Sequence, residues 1–266
     1  MRELLNKEFE KCRPQLRSYI FRITASIQDA EDIVQDTYIK AVSNIDTFKE
    51  KSSLKTWIFA IASNLAKDNL RAKKRWTEDV TDICKAKALA NPDYFTEVMQ
   101  IQATSSQGVF EIKEHIAFCL NCISKSLPLE QQICILLKEV YDFKISEITT
   151  ILGASEAMVK YYLHIARTKM TTIFDKRCAL INKEGICHQC SELNGIFNPK
   201  QNTQAEIMKI EMAKVAKKGN KDHLLDLRLQ IMSEIDPFQS KGSDLQLHHL
   251  EHNRKVMENI FKKNED

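Results

Sequence analysis

FKISEITTILGASEAMVKYYLHIARTKM, running from Phe143 to Met170, is the stretch that decides the fold. Ile145, Ile148, Ile151 and Leu152 recur at three- and four-residue spacing, which puts them on one helical face. Gly153 ends that helix, because glycine enters left-handed backbone space without steric cost. Ser155 is placed to cap the next helix by accepting a hydrogen bond from a free amide two or three residues on. In that second helix Val159, Leu163 and Ala166 point one way and leave Lys160, Tyr161, His164 and Arg167 for the other. Two short helices about a tight turn make a helix-turn-helix, whose second helix can lie in a DNA major groove. Helical hairpins that bind nothing share this spacing, so the stretch by itself leaves both readings open.

Working outward, the rest of the chain is also helical in pattern. Six Gly and five Pro are few for 266 residues, and apolar positions repeat mostly with helical period, so an all-α protein of two or three modest domains is expected. No run is long and apolar enough to span a bilayer, and MRELLNKEFEK lacks the apolar core of a secretory signal, which predicts a cytoplasmic protein without membrane contact. Thirty-nine basic against 36 acidic residues leave a net charge of +3, too balanced to name a partner except through local clustering. In a reducing compartment the eight cysteines suggest buried thiols, a metal site or a redox switch ahead of structural disulfides.

The segment before the helix-turn-helix opens with amphipathic helices. Leu16, Tyr19, Ile20 and Ile23 form one apolar side; Ala30, Ile33, Val34, Thr37, Tyr38, Ala41 and Val42 form the next, leaving Asp29, Glu31, Asp32, Gln35, Asp36 and Lys40 outside. That acidic face is either a solvated helix surface with a favourable first turn or a docking surface for a basic or polar partner. NIDTFKEKS then loses the helical period and reads as a loop. Leu54, Ile58, Ile61 and Leu65, with Trp57 beside them, start a further helix that ends in the basic run Arg71, Lys73, Lys74 and Arg75, closed by Trp76. Such a run can neutralise phosphates and offer a stacking face, or simply keep a helix end soluble and oppose its dipole.

Three segments taken together carry a resemblance: SIQDAEDIVQDTYIKA, then TFKEKSSLKTWIFAIASNLAKDNLR, then LPLEQQICILLKEVYDFKISEITTILGASEAMVKYYLHIARTKM. In order and spacing they resemble the bacterial sigma factors of the extracytoplasmic-function class, from about Leu4 to Met170. The marks are Ala30-Glu31-Asp32 with Gln35, WIFAIASN followed by Asp68 and Arg71, Leu127-Pro128, and the helix-turn-helix. The resemblance implies residues 1–76 as the domain that docks on core RNA polymerase and reads the minus-10 element, 77–126 as a linker, and 127–170 as the domain that reads the minus-35 element. Docking would fall on Asp32, Gln35, Asp36 and Ile39. Capture of a base from the single-stranded minus-10 element would fall on Asn44, Asp46, Thr47, Phe48 and Lys49, its unstacking cost repaid by pocket contacts. Lys55, Asn64, Lys67, Arg71, Lys74 and Arg75 would track that strand. Trp57 stands where related housekeeping factors place a melting wedge, and its neighbours equally allow a core position.

On the second helix the resemblance implies Glu156, Ala157, Lys160, Tyr161 and His164 for base edges of the duplex minus-35 element, and Arg167 and Lys169 for phosphates. The chain departs from the family pattern there. Tyr162 and Ile165 stand where basic residues are common and Thr149 where a small Ala packs, which predicts weak phosphate attraction. The resemblance also admits an anti-sigma factor as a further partner.

Residues 171–266 lie outside the minimal family pattern. Helical stretches are readable at about Thr203 to Lys218, Lys221 to Ile235 and Ser243 to Lys263, with Leu224, Leu227, Ile231 and Ile235 as one buried stripe and Leu250, Met257 and Phe261 as another. His248, His249 and His252 are expected on a solvated face. Cys178, Cys187 and Cys190 leave three readings open: zinc held by thiolates, a disulfide switch, or plain structural cysteines. Apart from the zinc that these cysteines could hold, no cofactor is expected. Cys119, Cys122 and Cys134 are expected as buried thiols. A small helical appendage follows, and the resemblance implies a regulatory role for it, as for the C-terminal extensions that some sigma factors of this class carry. The rival reading is a helix-turn-helix regulator that works without polymerase; an enzyme finds no support in any Gly-rich phosphate loop or convergent catalytic set.

Overall fold

The computed structural model describes residues 1–71, 73–104, 112–177, 221–239 and 243–263, with residues 211 and 214 besides. Among the described residues the regular structure is helical, as the sequence predicts. The chain runs α1 (Arg2–Thr24), α2 (Ile27–Asn44), α3 (Leu54–Leu70), α4 (Val80–Leu89), α5 (Pro92–Thr104), α6 (Ile112–Ser124), α7 (Leu129–Ile135), α8 (Ile145–Leu152), α9 (Glu156–Arg177), α10 (Lys221–Glu234) and α11 (Ser243–Lys263). No helix of the described residues is long and apolar enough to cross a membrane. The chain divides into two compact units, each built from two separate pieces of sequence: Met1–Arg75 with Leu127–Ala166, and Trp76–Ser126 with Arg167–Asp266.

The first unit is built on α1, α2 and α3. Leu5, Phe9, Leu16, Tyr19, Ile20 and Ile23 of α1 meet Ala30, Ile33, Val34 and Ala41 of α2 and Ile58, Phe59, Ala62 and Ala66 of α3, all buried. This is the stripe-to-stripe packing that the helical period dictates, and its apolar burial is the dominant stabilising term. Local signals set the helix ends. Ser26 Oγ accepts from the Asp29 amide at 3.2 Å to open α2, and Ser53 Oγ accepts from the Thr56 amide at 3.1 Å to open α3. Tyr19 brings a hydroxyl into the core, where it shares a 2.8 Å hydrogen bond with Ser63 Oγ and so avoids the cost of an orphaned polar atom.

The helix-turn-helix belongs to this same unit and lies on α3. Phe143, just before α8, packs its ring 4.8 Å from that of Phe59, and Thr56 Oγ1 donates to Glu147 Oε1 at 3.0 Å. Tyr141 meets Tyr19 edge-on at 5.6 Å and shares a 3.0 Å hydrogen bond with Ser18 Oγ. From α7, Gln132 Nε2 donates to the Arg22 carbonyl at 3.1 Å. Gly153 closes α8 at φ 64°, the left-handed geometry that its sequence position predicts. Ser155 Oγ accepts from the Met158 amide at 3.2 Å, the expected cap of α9.

The second unit departs from the sequence reading. Residues 77–126 read by composition as a linker, yet their described part forms α4, α5 and α6, which pack with α10 and α11. Val80, Cys84 and Ala88, Tyr94 and Val98, Ile116, Leu120 and Ile123, Leu224, Leu225, Leu229 and Met232, and Leu245, Leu250 and Met257 are all buried. The apolar face of α10 therefore includes Leu225, Leu229 and Met232, while Leu227 and Ile235 are only half-buried. Cys84, Cys119, Cys122 and, in the first unit, Cys134 are buried thiols.

The histidines of α11 also differ from expectation. His249 is fully buried, its Nδ1 hydrogen-bonded to Tyr94 Oη, and the Tyr94 ring lies 5.2 Å from His248 and 4.2 Å from His252. An imidazole is polar at its nitrogens and flat and weakly polar on its faces, so a buried tyrosine can receive three of them where three lysines could not pack.

Candidate nucleic-acid interface

Three surfaces carry the residues that the sequence singles out. The first is the outer face of α2. Asp32, Gln35, Asp36 and Ile39 follow i, i+3, i+4, i+7 and therefore share one side, and all are exposed, Ile39 at 52 %. The other acidic side chains of this helix are engaged elsewhere: Glu31 pairs with Arg17 at 2.5 Å and Asp29 with Lys73 at 2.8 Å. Among the described residues neither Asp32 nor Asp36 enters an ion pair. Tyr38 adjoins them and was not selected from the sequence, because its spacing marks it as core. It is 37 % exposed and donates from its hydroxyl to Asn6 Oδ1 at 3.1 Å.

The second surface is the loop after α2 with the exposed side of α3. Asn44, Asp46, Thr47 and Lys49 are exposed on a short 3-10 turn, Ile45–Thr47, and Thr47 Oγ1 donates to the Asn44 carbonyl at 2.7 Å. Phe48 is half-buried, its ring 5.3 Å from that of Trp57 and tilted 46° to it, so these two aromatics pack together near the start of α3. Asn64, Arg71 and Lys74 are exposed and Lys67 half-buried; Arg71 pairs with Asp68 one turn back at 3.1 Å.

Two members of the strand-tracking set turn toward their own chain. Lys55 Nζ lies 4.8 Å from the centre of the Phe143 ring and 5.8 Å from that of Phe59, a cation over aromatic faces. Arg75 Nε donates to the Leu127 carbonyl at 2.7 Å, and its Nη2 donates to Gln132 Oε1 at 2.5 Å. Burial pushes the Arg75 guanidinium down to about 10, which leaves it cationic at neutral pH. It joins the end of α3 to the start of α7.

The third surface is the outer side of α9. Glu156, Ala157, Lys160, Tyr161 and His164 are all exposed there, Tyr161 at 56 %. Lys160 Nζ meets Glu156 Oε1 at 2.6 Å, and this hydrogen bond, with the charge behind it, holds the Glu156 carboxyl below its ordinary range. Further along the helix Arg167 and Lys169 are half-buried. Arg167 pairs with Asp226 of α10, and Lys169 Nζ lies 2.8 Å from Glu78 Oε1. Cys178, Cys187 and Cys190 lie outside the described residues.

The geometry thus holds an acidic helix face, an aromatic and basic loop-helix edge, and a helix-turn-helix with an uncovered outer side. Comparison with known proteins finds two family matches in the chain. The family Sigma-70 region 2 matches residues 9–76 and the family Sigma-70, region 4 matches residues 118–170. The second match begins within α6, ahead of Leu127, and residues 171–266 fall beyond both. The chain is 30 % identical over 151 residues to the ECF RNA polymerase sigma factor SigW of Bacillus subtilis, covering 55 % of this chain and 76 % of that protein. It is 26 % identical over 174 residues to the ECF RNA polymerase sigma factor SigG of Mycobacterium tuberculosis, covering 62 % of this chain and 47 % of that protein. Against SigG, then, the chain spans about half the relative's length. Among solved structures, the sigma factor RpoE in complex with the anti-sigma factor NepR from Bartonella quintana is similar with a TM-score of 0.43 at 20 % identity, covering 65 % of this chain and 98 % of that one.

Proposed function

Because the chain belongs to the extracytoplasmic-function class of RNA polymerase sigma factors, we propose that it binds core RNA polymerase and directs transcription initiation at promoters in the cytoplasm, with no catalytic chemistry of its own. The observation that carries this reading is the outer face of α2. It presents two carboxylates without ion-pair partners among the described residues, an amide and an exposed isoleucine on one side of a rigid helix. A partner supplying arginines and an apolar surface would gain charge-assisted hydrogen bonds there without first breaking any.

On this reading Asn44, Asp46, Thr47, Phe48 and Lys49 receive an unstacked base of the minus-10 non-template strand, and the Phe48–Trp57 pair supports its face. Asn64, Lys67, Arg71 and Lys74 follow the phosphates of that strand. Lys160, Tyr161 and His164 meet base edges of the minus-35 duplex, with Glu156 and Ala157 at the helix N-terminus and Arg167 and Lys169 toward phosphates. An anti-sigma protein that covers the α2 face or the outer side of α9 would keep the factor silent.

Run-off transcription with purified core polymerase tests this. Promoter-dependent transcripts only when core and this chain are both present are the expected result. A helix-turn-helix regulator acting alone would instead shift promoter duplex without core and give no core-dependent transcript, which would overturn the reading.

A further inference from the structure

From Arg167 onward α9 is part of the second unit, and within that unit its two cations meet acidic side chains. Arg167 and Lys169 stand two residues apart; the Arg167 guanidinium pairs with Asp226 of α10, and the Lys169 ammonium lies 2.8 Å from Glu78 in the turn before α4. These carboxylates come from two separate parts of the sequence, one from the C-terminal extension and one from the segment between the two sigma regions. The presentation of Asp226 is built in. Two residues on, Arg228 is 1 % exposed and lies with its guanidinium carbon 4.3 Å from the centre of the Phe174 ring of α9, itself 1 % exposed. At the other end of α10, Glu234 pairs with Lys113 of α6 at 3.5 Å. A carboxylate and a phosphodiester offer the same oxygens to a guanidinium or an ammonium, so each cation serves one or the other.

We propose that the second unit is an internal competitor for DNA: Asp226 and Glu78 occupy the two cations of α9 that would otherwise take backbone phosphates, and so hold down the affinity of the full chain for duplex DNA. The inference rests on the sigma-factor reading for its biological meaning and on the ion pairs for its physics. It gives the extension and the inter-region segment a shared inhibitory role. It also compounds the scarcity of charge already noted on α9, where Tyr162 and Ile165 replace basic residues.

The magnitudes are modest and measurable. Each partly exposed ion pair removed should tighten duplex binding by roughly two- to fivefold, and the two together, acting independently, by roughly four- to 25-fold. A second signature follows from counterions. Salt weakens the internal pairs as well as the DNA contacts, so the parent chain has a blunted salt dependence, and freeing both cations should steepen the log–log slope by up to about 1.8.

The full-length chain and its Glu78→Gln/Asp226→Asn variant are titrated into a fluorescein-labelled duplex of mixed sequence and followed by anisotropy at several salt concentrations. Phosphate contacts do not depend on sequence, so no promoter consensus is needed. Tighter binding with a steeper slope, abolished when Arg167→Ala/Lys169→Ala is added to the same chain, is the expected result. Equal affinity and equal slope for parent and variant, with unchanged helical circular dichroism, would overturn the proposal. Glu78→Gln alone, in an exposed turn where it cannot unfold the chain, should give about a twofold gain and guards against a folding defect in the double variant. Run-off transcription with core polymerase is done in parallel. Its failure with every variant would remove the sigma-factor reading, and the anisotropy titration would still decide for or against the competitor independently.

Discussion

Replacing Arg75 with alanine should loosen the first unit before it weakens any contact with DNA. The guanidinium donates to two acceptors that water cannot reach, the carbonyl of Leu127 and Oε1 of Gln132, and both residues are fully buried. Alanine leaves both oxygens without this donor. An orphaned buried acceptor costs about 1 to 3 kcal/mol, and the two share one donor and do not add fully, so a loss of roughly 2 to 4 kcal/mol is expected after the relief of burying the cation is counted. With a urea slope of roughly 1 to 3 kcal/mol per molar, the midpoint for this unit should fall by about 1 to 2 M. The two tryptophans fall one in each unit, Trp57 in the first and Trp76 in the second, so urea unfolding followed by fluorescence in a Trp76→Phe background isolates the relevant transition. Arg75→Lys keeps the charge but not the fork and should recover less than half of the loss. A midpoint within about 0.3 M of the parent, together with a tenfold loss of DNA binding, would refute the bracing role and return Arg75 to the strand-tracking set.

Other perturbations separate the remaining surfaces. Asp32→Lys/Asp36→Lys should abolish coelution with core polymerase on a sizing column without changing helical circular dichroism, since both side chains are exposed; coelution at parental levels would remove α2 from docking. Gly153→Val should destabilise the helix-turn-helix by about 1 to 2 kcal/mol in urea, because a β-branched residue is strained at φ 64° although space for its Cβ is open. Acidification should destabilise the second unit. Burial holds His248 and His252 below their ordinary value, against the pull of Glu97 and Glu251, so the unfolded chain binds more protons as pH falls. Their contribution is complete above pH 6.5 and is lost below it, at up to about 1.4 kcal/mol per pH unit for each histidine; a midpoint for Trp76 unchanged from pH 7.5 to 5 would contradict this.

The sequence made the first unit legible because its signals are local. Spacing on α1 to α3 distinguishes core from surface, Ser26 and Ser53 mark helix starts, and Gly153 marks a stop. The outer faces of α2 and α9 followed from the same periodicity. What stayed hidden depends on partners distant in sequence. Lys55 reads as a free cation until Phe143 is known to lie beneath it, and Arg75 reads as a solubilising helix end until Gln132 receives it. Polar composition made residues 77–126 read as a linker, whereas Cys84, Tyr94 and Val98 are buried in a unit that also contains helices from the far end of the chain. His248, His249 and His252 were assigned to solvent by residue type, and the aromatic face of Tyr94 reverses that assignment.

The interleaving of the two units bears on how the chain is made. As it leaves the ribosome, α3 emerges with Phe59 uncovered, and the residue that packs on it, Phe143, follows only after a further stretch of synthesis lasting roughly 4 to 17 s. The intervening α4 to α6 cannot be completed either until α10 and α11 have been translated. During that interval a nascent apolar surface is available to chaperones and to neighbouring chains, so truncated messages ending between residues 76 and 142 should yield products that are degraded or aggregated rather than half-active factors.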